Sequence, residues 1–263
     1  MTMKIRTHLW PVVAVFFTVA LLTSGLLGAL QPMTGIPTVV IQLTQLGPLL
    51  GVVVVALCWP VRTREALAGA VGGRGGTWAP LLLLSVTAVL VIGAAAAGYG
   101  LLTGDVRATA PADLGNPFVL IVVAQFAGAC AEEIGWRCLL QPLLRTRLGV
   151  VAASVVVGVL WGVWHLPVFA HDAAYVVGFL LAAVSMSVAL GVALDGVRAQ
   201  RLVLAGAFHT LTNLGMLLFM DEESGVALPM ILFGCACLVA AVAWLGRRTS
   251  IAAVRENVRS RLG

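Results

Sequence analysis

Eight long apolar runs dominate this chain and fix what it can fold into. They lie at about 9–30, 38–59, 78–102, 117–141, 150–169, 174–194, 202–220 and 226–246 and consist mostly of Leu, Val, Ala, Gly and Phe. At about 1.5 Å per helical residue, each is long enough to cross about 30 Å of hydrocarbon. Backbone within a bilayer must satisfy its own hydrogen bonds, and a continuous run does so only as a helix. A β-barrel would instead show alternating strands of about ten residues. The expectation is an all-α polytopic membrane helix bundle of about eight transmembrane helices, one integral membrane domain over 1–263. Composition agrees: 60% of residues are hydrophobic, 10% are charged and mean hydropathy is +1.04. A soluble domain carries about 25% charge, so a soluble enzyme, a disordered chain and a disulfide scaffold are all excluded.

The net charge of +5 does not indicate a nucleic-acid partner, because the positive residues sit in short connections between runs. Of sixteen Lys and Arg, fourteen fall in alternate connections or termini, from Lys4 and Arg6 to Arg261. Arg107 alone occupies the other set, and Arg137 lies inside a run. The positive-inside rule then places both termini in the cytoplasm, in a multi-pass cell-membrane protein whose first partner is the lipid bilayer. The stretch after Lys4 and Arg6 is too long for a signal peptide and is expected to remain as the first helix. Trp10, Trp59, Trp78 and Trp244 fall at the cytoplasmic ends of runs, as an interfacial belt would. Cys58, Cys130, Cys138, Cys235 and Cys237 lack metal-site spacing and are expected as buried small hydrophobes. Gly72 to Gly76 is expected as a linker, and Asp221, Glu222 and Glu223 as a solvated outer loop.

Three runs contain side chains that a bilayer resists. The fourth carries Glu132, Glu133 and Arg137, each costing about 2.5–3.5 kcal/mol at a helix centre on insertion scales. Glu133 and Arg137 are i and i+4 with the acid first, the favourable ion-pair order. Glu132 projects about 100° away and has no obvious local partner. An unpaired buried carboxylate suits a general base. In the fifth run, His165 shares a face with Trp161, and Pro167 predicts a kink or unwound turn beside it. In the seventh, His209 and Asn213 are i and i+4 and can offer two donors to one oxygen, as an oxyanion hole requires. Small residues accompany each polar group: Gly128 and Ala129, Gly158 and Gly162, Ala205 and Gly206. Small faces allow close helix approach, so runs four, five and seven are expected to converge.

Together these segments resemble the CPBP family, the intramembrane endopeptidases related to type II CAAX prenyl proteases and the bacteriocin-processing and immunity proteins. Glu-Glu-x-x-x-Arg stands as Glu132, Glu133 and Arg137. An aromatic four residues before His stands as Trp161 and His165, with Trp where Phe is usual. His-x-x-x-Asn stands as His209 and Asn213. The resemblance covers about 117–220, the family's core. It implies hydrolysis of a peptide bond in a membrane-associated protein or peptide. Glu132 and His165 would activate water, His209 and Asn213 would hold the oxyanion, and Glu133, Arg137 and Trp161 would support them. The expectation is a metal-free mechanism with no cofactor. Zinc held by Glu132, His165 and His209 is the alternative, since such a set can bind it with one open position. A non-catalytic immunity or scaffold protein is the competing function. A proton-coupled transporter is a third, although the chain shows no internal repeat.

Overall fold

The computed structural model describes residues 9–73, 78–220 and 225–262, the side chains of 251–262 excepted. Lys4, Arg6, His8, Arg74 and the acidic stretch 221–223 lie outside the described residues, as do the side chains of Arg255, Arg259 and Arg261. The helices run α1 (Leu9–Thr34), α2 (Leu46–Cys58), α3 (Pro60–Leu67), α4 (Trp78–Thr103), α5 (Phe118–Glu133), α6 (Gln141–Arg145), α7 (Val150–Trp164), α8 (Ala173–Ala193), α9 (Arg201–Phe219) and α10 (Ala227–Leu262). There is no strand among the described residues.

All eight apolar runs are helical, but not equally. Among the described residues, six helical stretches are long and apolar enough to cross a bilayer, the fourth of the eight runs being the composite Phe118–Arg145. The second and fifth runs form the shorter apolar helices Leu43–Cys58 and Val150–Trp164. The fifteen residues of α7 cover only about 22 Å. A 3-10 turn, Leu43–Gln45, precedes α2, and another, Leu166–Ala170, follows α7. The turn at Pro167 is sharper than a kink: α7 stops at Trp164, and His165 takes φ −77°, ψ 63°. Irregular backbone at membrane depth is tolerated where it lines a cavity, and both turns do so.

The fourth run is also interrupted. After Glu133 the backbone widens into a π-helical segment, Ile134–Leu140, before α6 resumes. This segment is the centre of the molecule and touches α2, α3, α5, α6, α7 and α9. Trp136, Arg137, Leu139 and Leu140 are all buried. Around it the long helices pack in the spatial order α1–α2–α5–α9–α4–α10–α8–α7. Outward-facing Leu22, Leu82, Leu90 and Val239 are exposed, as lipid contact requires.

The glycine faces meet three different neighbours. Gly206 packs toward Cys130 and Phe126 of α5, as expected of runs four and seven. Gly158 and Gly162 instead face α8: a Cβ on Gly158 would lie 2.7 Å from Val184 Cα. Gly128 faces Gln45, ahead of α2. The cysteines also divide, since Cys138 and Cys237 are buried, Cys130 is half-buried, and Cys58 and Cys235 are exposed to the surroundings of the bundle.

Antiparallel packing sorts the connections into two ends. Gly47 lies opposite Ala20 and Ser24, and Gly51 opposite Phe16, so α2 runs back along α1. One end gathers the 59–73, 146–149 and 194–200 connections with Arg62, Arg64, Arg145, Arg147 and Arg198. There Asp195 bridges Arg145 at 3.0 Å and Arg248 at 3.2 Å. The α9 N-terminus is clasped at this end: Arg201 and Leu202 N–H groups donate to the Gly69 and Ala70 carbonyls. Gly69 takes φ +74° to allow it, with Arg198 O where a Cβ would stand. The 35–45, 104–117 and 165–172 connections lie at the opposite end, with Arg107 beside Tyr99.

Candidate active site

Trp161 is the hub of the polar centre. Its indole N–H donates to Glu132 Oε2 at 2.8 Å. Its ring meets His165 and His209 edge-on, at centroid distances of 5.3 and 5.4 Å. The Arg137 guanidinium lies over its face, 4.8 Å from the centroid. A residue expected as support therefore touches four of the expected site residues.

The two adjacent glutamates part company, as their angular offset requires. Glu133 is fully buried and faces inward protein: Oε2 lies 3.2 Å from Arg137 Nε, and Oε1 lies 2.9 Å from His209 Nδ1. The Arg137 contact is an ion pair without hydrogen-bond alignment, and both terminal guanidinium nitrogens lack a hydrogen-bond partner. The charge is held by Glu133 and the indole face instead, which attract a cation without directed hydrogen bonds. Glu132 lines a cavity of about 700 Å³ together with Trp161, His165, His209 and Asn213. It is not partnerless: besides Trp161, the Gln45 Nε2 donates to its Oε1 at 3.2 Å. Both donors arrive from other helices, where spacing within one run has nothing to say.

The ring nitrogens can be assigned from their partners. His165 Nδ1 lies 2.8 Å from the Trp161 carbonyl oxygen. A carbonyl only accepts, so Nδ1 carries the proton and neutral His165 presents Nε2 as a lone pair. His209 Nδ1 is engaged by Glu133, a carboxylate that likewise accepts. Nε2 of His209 can donate only when the ring carries both protons, a state that Glu133 would balance electrically. Asn213 Nδ2 reaches Gln125 Oε1 at 3.4 Å, and Gln125 Nε2 donates to the Val39 carbonyl.

Gln45 and Gln125 are the site residues that sequence reasoning passed over. Gln125 was within reach, because it stands seven residues before Glu132, two turns up the same face. Gln45 gives no such signal. It belongs to another run, and only packing brings it to Gly128, where its Oε1 is buried without a hydrogen-bond partner.

Zinc does not fit this arrangement. Among the described residues, no three His, Cys, Asp or Glu side chains converge closely enough to hold a metal ion.

Residues 114–215 match the family described as type II CAAX prenyl endopeptidase Rce1-like. Lysostaphin resistance protein A from Staphylococcus aureus is similar along 92% of the chain, at 23% identity over 253 residues in strain MRSA252 and 24% over 257 in strain Newman. The chain spans 58% of the length of these curated relatives. The likeness to the CPBP endopeptidases is thereby shown, over the stretch that holds Glu132, His165, His209 and Asn213.

Proposed function

We propose, from a membrane protein whose residues 114–215 match the type II CAAX prenyl endopeptidase Rce1-like family, that this chain hydrolyses an internal peptide bond of a membrane-associated substrate. Residues 117–220 would form its catalytic core, and both termini would lie in the cytoplasm. The observation carrying the reading is the separation of the adjacent carboxylates. Glu133 is buried between Arg137 and His209, while Glu132 borders the cavity between donors that hold it in place.

In this mechanism Glu132 removes a proton from a water that His165 Nε2 helps to orient. The resulting hydroxide adds to the substrate carbonyl carbon, and the carbonyl electron pair moves onto oxygen. The Asn213 amide and doubly protonated His209 donate to that oxyanion. Collapse of the tetrahedral species breaks the C–N bond, and the proton held by Glu132 passes to the leaving nitrogen. Glu133 keeps His209 oriented and balances its charge, while Arg137 balances Glu133. No cofactor enters these steps.

The relatives' printed name, lysostaphin resistance protein A, describes a phenotype rather than a reaction. It supports a second reading, in which the chain acts as a non-catalytic membrane partner. The two separate in a cleavage assay on purified protein in liposomes with membrane-anchored peptides. The enzymatic reading expects wild-type cleavage that survives a chelator and is lost in Glu132→Gln and His165→Ala variants that keep the wild-type fold. Absence of cleavage, or equal cleavage by both variants, sinks it.

A further inference from the structure

The cavity beside Glu132 extends from the middle of the bundle toward the end that carries the 35–45 and 165–172 connections. It is lined by α1 from Leu21 to Gly28, the 38–45 connection, Gln125 and Glu132 of α5, the turn after α7, α8 from Tyr175 to Met186, α9 from His209 to Leu217 and Phe233 of α10. Among the described residues, none that lines it comes from the arginine-rich connections at the other end. Short helices α2 and α7 create this space, because each is replaced by a 3-10 turn on that side.

One wall of the cavity is thinly closed. Where α7 comes back to α1, Trp164 Nε1 donates to Ser24 Oγ at 3.0 Å and to the Ala20 carbonyl at 3.3 Å. Ser24 Oγ in turn donates to the Thr44 carbonyl. Beyond this latch the α1 wall consists of Gly25 and Gly28, and nothing lies within 4 Å of where a Cβ on Gly25 would stand. The chemistry of the lining also selects. Gln42, Gln45, Gln125 and Asn213 offer amides, which match the donors and acceptors of an extended peptide backbone. Among the described residues no Lys or Arg lines the cavity, and the one cation of the proposed mechanism, doubly protonated His209, is paired with Glu133, so no uncompensated cation is set to hold a terminal carboxylate or a lipid phosphate.

Resting on the proteolytic reading and on the cytoplasmic placement of the arginine-rich end, we propose a substrate class and a route. The substrate is a membrane-anchored polypeptide cut at an internal, uncharged segment on the non-cytoplasmic side. It reaches Glu132 laterally between α1 and α7, past the Trp164–Ser24 latch.

The test uses the full chain in proteoliposomes of determined orientation, with single-span peptides carrying a short uncharged segment on either side of the span. A photo-crosslinking residue at position 25, in the Glu132→Gln background, reads occupancy independently of cleavage, and one at the lipid-facing position 239 serves as control. The expected result is capture at position 25 and not at 239, only for segments opposite the arginine-rich end, and equally for free and amidated C-termini. Gly25→Leu, which has room to fold, is expected to lower kcat/KM for anchored peptides at least about tenfold while sparing a short soluble peptide. Trp164→Phe, which loses the latch donor, is expected to raise the anchored-to-soluble ratio about fivefold. Capture without cleavage by wild type would defeat the proteolytic reading and leave the route standing. Capture equal at both positions, absence of capture, dependence on a free carboxylate, or cleavage from the arginine-rich side would overturn the proposal.

Discussion

Replacing Gly128 by Ala should disable Glu132 without touching it. A Cβ at position 128 would stand 2.2 Å from Gln45 Oε1 and 2.8 Å from its Cδ, so the Gln45 amide must leave. Its departure removes the 3.2 Å hydrogen bond to Glu132 Oε1. Hydrogen bonds to charged groups contribute about 1.5–3 kcal/mol, which corresponds to about ten- to hundredfold in rate if the carboxylate is no longer held. Overpacking adds about 1–3 kcal/mol of lost stability. The informative comparison is the same substitution made in a Gln45→Ala background, where the clashing atoms are gone. There Gly128→Ala should be neutral or stabilising by about 0.5–1 kcal/mol, because Ala outranks Gly inside a helix. Denaturant titration in detergent gives the stabilities, and kcat on an anchored peptide gives the rates. The reasoning fails if Gly128→Ala costs the same in both backgrounds, since the cost would then not pass through Gln45.

Other substitutions separate the remaining contacts. Trp161→Phe keeps a ring beneath Arg137 but loses the donor to Glu132 Oε2, so kcat should fall about ten- to hundredfold with a small change in Tm. Arg137→Met breaks one of the two buried contacts of Glu133 and leaves it with His209 alone; it should cost about 3–5 kcal/mol in detergent unfolding, and adding Glu133→Gln should recover part of that loss. Gly158→Val would press on Val184 and Ser187 across the α7–α8 contact and should destabilise by about 1–3 kcal/mol, whereas Gly25→Ala should not destabilise.

Much of the helical layout was legible because a bilayer permits few alternatives: a long apolar run has to be a helix. The Glu133–Arg137 pairing was legible because both ends lie one turn apart on one run, and the Trp161–His165 adjacency for the same reason. What stayed hidden depends on tertiary structure. Hydropathy does not encode backbone hydrogen-bond register, so the π segment at Ile134–Leu140 left no mark in the sequence. Gly158 announces that some helix comes close, not that α8 rather than α5 or α9 is the one. The partners of Glu132 sit 87 residues before it and 29 after it, and no local spacing rule reaches that far. The two short helices were likewise read at full length, because Val39, Val40, Ile41 and Leu43 before α2, and Leu166, Val168 and Phe169 after α7, prolong the apolar runs through the turns.

The central claim is that Glu132 activates water beside the two histidines. Single-turnover cleavage of an anchored peptide by excess purified protein tests it most directly, comparing wild type with Glu132→Gln at matched peptide occupancy. Loss of a general base predicts a rate lower by about 10²–10⁴-fold with binding and folding unchanged. Equal single-turnover rates for the two proteins would contradict it.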